Sequence, residues 1–131
     1  MKPVYQTDFS AGKGNALQAC VATLFSLPLE DIPNFIEAED YRVALQEWLQ
    51  IRNLSFLKVS LQAGKIAFPT PKSLCILAGN SPRGNYRHAV VARSLASGEF
   101  EIVFDPHPDN TGITGEPLWA GFFVALQLIA T

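Results

Sequence analysis

Two histidines occur in the chain, and one of them, His88, opens the β-prone run "HAVVARS". Asp105 closes the next such run, "FEIVFDP". Between them "ASGEF", with Gly98, reads as a hairpin loop. A hairpin sets the start of its first strand beside the end of its second. The spacing therefore predicts an imidazole and a carboxylate in contact at one rim of a sheet. A carboxylate on one ring nitrogen fixes the tautomer and leaves the other nitrogen free to act as a base. Taken alone, His88 is a polar residue at a loop edge and Asp105 before Pro106 is a strand-ending turn. Together they form a pair that lacks only a nucleophile.

The stretch "GKGNALQACVATLFSLPLEDIPNF" is where a nucleophile would be presented. Gly12 and Gly14 read as a turn and Asn15 as an N-cap. "ALQACVATLFS" follows as a helix with apolar positions at 16, 17, 20, 21, 24 and 27, ended by Pro28. In the first turn of a helix the macrodipole stabilises a thiolate, and unbonded backbone N–H groups can hold an oxyanion. Position 16 meets both conditions, and it holds Ala16. Cys20 lies one turn further along, where backbone N–H groups are already bonded within the helix, and reads as a buried structural thiol. Cys75, in "SLCIL", reads the same way. Two buried free thiols, favoured over a disulfide between them, point to a reducing compartment, with the cytoplasm as the default location.

The ordered set "QTDFSAGKGNALQACVATLFSLPLEDIPNF", "RHAVVARS" and "VFDPHPDN" resembles the papain-like cysteine peptidase superfamily. It is similar in particular to small bacterial and phage proteins of that superfamily, and more remotely to the bacteriocin-processing peptidase domains of export transporters. The likeness runs over nearly the whole chain. It implies a papain-like fold, with Ala16 at the site of the catalytic Cys, His88 as general base and Asp105 orienting the imidazole. It also implies Gln6 as the side-chain donor of the oxyanion hole, although Gln6 is spaced further from position 16 than the papain pattern has it. Asn15, Tyr86 and Trp119 are the candidates for substrate contact.

The expected function is thus a cysteine-dependent hydrolase or acyl transferase of peptidase or amidase type, working through a thioester acyl-enzyme. Its substrate would be a peptide, a small amide or ester, or a protein terminus. Ala16 means that the present chain lacks the attacking atom. Either a Cys-to-Ala exchange was introduced, which the retained Gln, His and Asp favour, or this is a natural pseudoenzyme serving as a peptide- or protein-binding module.

These residues need a scaffold, and the chain has room for one domain, 1–131. Hydrophobic residues make up 48% and charged residues 17%, which excludes a disordered or fibrous chain. The first half reads helical, with "EDYRVALQEWLQIRN" directing Tyr41, Leu45, Trp48, Leu49 and Ile51 toward a core. The second half reads as strands: "SFLKVSL", "SLCILAG", "HAVVARS", "FEIVFDP" and "WAGFFVALQ". Helices followed by a mostly antiparallel sheet make an α+β fold. "NTGITGEP" reads as a loop ahead of Trp119, a cleft-wall candidate. His107, between two prolines, reads as exposed or substrate-facing, and Asp109 as a turn former. A net charge of -2 without a Lys/Arg run gives no electrostatic grip on nucleic acid. "MKPVYQTDF" lacks the apolar core of a signal peptide, and "WAGFFVALQLIA" is too short to span a bilayer. No metal, nucleotide or flavin motif is present, and no cofactor is expected.

Overall fold

The computed structural model describes residues 1–11, 14–68 and 70–125. Helix α1 spans Ala16–Phe25 and α2 spans Tyr41–Gln50, with two single 3-10 turns, Leu29–Asp31 and Phe35–Glu37, between them. Five strands follow: β1 (Ser55–Ser60), β2 (Leu74–Asn80), β3 (Arg87–Ser94), β4 (Phe100–Phe104) and β5 (Thr114–Val124). They form one sheet in the order β1-β5-β2-β3-β4, and every pairing is antiparallel. The architecture is α+β. Among the described residues no helix is long and apolar enough to cross a membrane.

Helix α1 stops before Pro28. Ser26 adopts a left-handed conformation (φ 54°), and the N–H of Leu27 reaches back to the carbonyl of Ala22 at 3.0 Å. Asp40 starts α2 by accepting from the N–H of Arg42 at 3.0 Å. That helix buries Leu45 and Leu49 and leaves Trp48 and Tyr41 half-buried. Ile51 was expected in the core and is instead 81% exposed. Its backbone is still right-handed helical, but two residues past Leu49 it lies about 200° around the helix from it, so the periodicity itself turns the side chain away from the core.

The inner strands are buried on both faces, and their side chains alternate between two cores. Ile76, Ala89 and Val91 pack with Leu17, Cys20, Val21 and Ala22 of α1 and with Phe35, Leu45 and Leu49. Cys75, Leu77, Val90 and Ala92 face the other way, onto Ala120, Phe122 and Ile66. Each fully buried Leu, Ile, Val or Phe adds roughly 1.5–3 kcal/mol, so removing one from either side is costly.

The last strand is longer than expected. "TGEP" at 114–117 belongs to β5 and not to a loop. Trp119 pairs with Ala78 and Thr114 with Asn80, so the β5 side carries extra residues across a bulge. Gly115, at φ 70°, sits in that bulge. Residues 126 and 127, at the end of the expected "WAGFFVALQ" strand, lie outside the described residues, as does Gly12 of the expected turn.

The N-terminal segment is laced to both halves of the molecule. The N–H of Val4 donates to Thr23 Oγ1 of α1 at 2.9 Å, and the N–H of Gln6 donates to the carbonyl of Pro106, beyond β4, at 3.0 Å. Gln6 is thereby fixed between the start of α1 and the end of β4.

Candidate active site

The β3–β4 hairpin turns through Leu95, whose N–H bonds the carbonyl of Glu99 at 2.9 Å, and Gly98 takes φ 88° there. His88 near one end of that hairpin meets Asp105 just past the other. His88 Nε2 lies 2.7 Å from Asp105 Oδ1, with side chains only 3% and 0% exposed. Two backbone groups complete the carboxylate: the N–H of His107 donates to Oδ1 at 2.9 Å and the N–H of Gly112 to Oδ2 at 2.7 Å. Burial pushes the Asp105 carboxyl up, but the bonds from His88, His107 and Gly112 outweigh it and hold the group below the usual carboxylate range. An ionised carboxylate only accepts, so Nε2 carries the proton toward it. Nδ1 is then the basic nitrogen, and it has no hydrogen-bond partner among the described residues.

His88 lines a cavity of about 430 Å³, and Ala16 lines the same cavity. Ala16 is the first residue of α1. Asn15 occupies the N-cap position but gives no side-chain cap. Its Oδ1 accepts from the N–H groups of Thr7 and Asp8, both at 2.9 Å, and its Nδ2 donates to Thr7 Oγ1 at 3.0 Å. Asn15 thus holds the 7–8 segment in place and does not line the cavity. The N–H groups of Ala16, Leu17 and Gln18 are left without an acceptor among the described residues. They are the donors that a helix start offers to negative charge.

Gln6 is only 6% exposed and also lines the cavity. Its Nε2 donates to the carbonyl of Asp8 at 3.0 Å, which uses one of two amide hydrogens, and Oε1 is buried with no partner among the described residues. Tyr86 and Trp119 both stand in the cavity wall, whereas Asn80 and Asn85 do not. Tyr41, read in the sequence as a core residue, belongs to the wall as well. Lys58 Nζ donates to Tyr41 Oη at 3.0 Å and lies 4.7 Å from the Trp119 ring centroid. No periodicity in the sequence joins α2, β1 and β5 in this way, and nothing in "SFLKVSL" singles out Lys58. His107 lines the cavity, its ring 4.8 Å from that of Phe9 and 6.3 Å from that of His88.

Neither cysteine is placed to react. Cys20 is fully buried; desolvation first, and then the nearby Asp105 carboxylate, push its thiol well above the usual range. Burial pushes Cys75 up to about 12. Both are free thiols. Among the described residues, no three His, Cys, Asp or Glu side chains converge as a metal site would require. No family model, curated protein or solved structure matches this chain.

Proposed function

We propose that this domain is a papain-like cysteine hydrolase or acyl transferase in which the nucleophile position, 16, is occupied by Ala. The observation that carries the reading is a single cavity bounded by the amino end of α1 at Ala16 and by His88 paired with a buried Asp105. With Cys at 16, His88 Nδ1 would take the thiol proton and the sulfur would attack a carbonyl carbon. The resulting oxyanion would be held by the N–H of residue 16 and the second amide hydrogen of Gln6. Collapse would break the bond to the leaving amine or alcohol, which takes the proton back from His88, and leave a thioester. Water would release the product acid, or an amine would carry the acyl group away.

Ala16→Cys tests this directly. The rate of iodoacetamide alkylation against pH should report a thiol titrating below ~8, under the ~8.5 of a free cysteine. His88→Ala in the same background should return it to the ordinary value. Turnover of small fluorogenic amides or esters by Ala16→Cys, absent from the Ala16 protein, is the second expected result. A thiol of ordinary acidity together with no turnover would falsify the hydrolase reading. Ala16 itself supports one alternative, a natural binding module that uses the cleft without chemistry. An Ala codon at this position in the natural gene would establish it, whereas a Cys codon would show the Ala to be introduced.

A further inference from the structure

The charges around the cavity are lopsided. The chain carries 12 acidic residues against 10 Lys and Arg. Yet among the described residues the cavity is lined by Lys58, Arg83 and Arg87 and by no Asp or Glu. Arg83 is neutralised, since its Nη1 lies 3.0 Å and 3.1 Å from the two carboxylate oxygens of Asp109. Among the described residues Lys58 and Arg87 have hydrogen-bond partners that are neutral, the Tyr41 hydroxyl and the Asn80 carbonyl oxygen. No described carboxylate forms an ion pair with either cation. The Lys58 ammonium is held against two cavity walls, Tyr41 and Trp119, and has donors to spare. The row of Lys58 on β1 runs through Gly121 and Ile76 to Val91 on β3, so Arg87 stands three strand spacings across and four residues along, roughly 20 Å away backbone to backbone. An extended peptide would cover that distance in about six residues.

We infer that the cleft takes a carboxylate-bearing peptide segment, with Lys58 as its principal anchor and Arg87 as a second. The inference rests on the reading of this cavity as a substrate cleft and adds the chemical class of what enters it. A side-chain carboxylate and a chain-terminal carboxylate present the same group.

The test uses Ala16→Cys as a reporter, alkylated separately by iodoacetate and by iodoacetamide at low salt and high pH. At high pH even a thiol of ordinary acidity reacts, so the result stands apart from the hydrolase test. The expected ratio of the two rates, anionic over neutral reagent, exceeds that of a free cysteine thiol. Lys58→Gln should lower it about threefold, and Arg87→Gln by less, as loss of one cation roughly 10 Å away in mixed dielectric would do. Lys65→Gln, which makes the same change in net charge at an exposed residue ion-paired with Glu99, should leave it unchanged. Protection of the thiol by acetyl-Ala-Glu-Ala amide assigns the carboxylate to a side chain. Protection by acetyl-Ala-Ala-Ala acid assigns it to a chain terminus. Acetyl-Ala-Gln-Ala amide should protect least. A ratio unmoved by both Lys58→Gln and Arg87→Gln, a thiol that neither reagent reaches, or three peptides that behave alike would each overturn the inference.

Discussion

The molecule contains two histidine–carboxylate pairs within a few residues of each other, and they are built differently. His88 and Asp105 are 3% and 0% exposed, and the carboxylate accepts three hydrogen bonds. His107 and Asp109 approach to 3.0 Å but are 16% and 34% exposed. The outer carboxylate is shared between the Arg83 guanidinium and the Thr111 hydroxyl and N–H, while His107 Nδ1 accepts from the backbone N–H of Asp109. The inner pair fixes one proton on one nitrogen. The outer pair fixes a loop. What sets them apart is exclusion of water and the supporting donors, since the distances are nearly equal.

The sharpest way to break the comparison is kinetic. In the Ala16→Cys background, Asp105→Asn should slow acyl transfer on the order of 10²-fold, the scale of a general base. Asp109→Asn should change it by less than about threefold, as a surface substitution clear of the reacting atoms would. Equal effects measured on one fluorogenic ester would erase the distinction drawn between the pairs.

Stability should separate them next. Asp105→Ala strands a buried imidazole and two backbone donors, and urea unfolding should show a loss of about 3 kcal/mol. Asp109→Ala should lose far less, because water replaces its partners.

Acid sharpens the contrast further. The Asp105 carboxyl titrates below its ordinary value when folded, so its contribution is complete above about pH 4, the unfolded value, and drains away as pH falls through the folded one. The difference in urea midpoint between the parent and Asp105→Asn should therefore be constant from neutrality to about pH 5 and shrink below about pH 4. Asp109 is lowered as well: desolvation raises it, and the Thr111 and Arg83 bonds together prevail. Its shift has the same sign, but solvent screens it, so Asp109→Asn should flatten the acid limb less. The smallest effect is expected of His107→Gln, a change of about 0.5 kcal/mol or less in the same assay.

How much of this was legible beforehand depended on whether a residue's neighbours were close in sequence or only in space. The His88–Asp105 contact followed from hairpin geometry, because one loop with one glycine joined two recognisable strands. The start of α1 at Ala16 was legible from helix formers after a glycine turn. The beginning of β5 was hidden, since Gly115 and Pro117 in a bulge break the alternation that betrays a strand. Ile51 is apolar and adjoins the core-facing residues in sequence, but on the helix it falls about 200° from Leu49 and is exposed. The cationic lining was invisible for another reason. Lys58, Arg83 and Arg87 come from β1, the loop after β2 and the start of β3, and each looks like an ordinary surface charge in its own segment. Asn15 read as a cap, and the fold uses it to anchor Thr7 and Asp8 instead.

Asp105 grips the main chain at His107 and again at Gly112, so the residues from Pro108 to Thr111 hang between two fixed points like a handle on a drawer. Changes confined to that span fall between the two anchors, and the bonds of Asp109 to Arg83 and Thr111 are the first they would unsettle. A designer wishing to reshape the rim of the cleft would therefore rewrite that short span first and leave the buried His88–Asp105 pair in place.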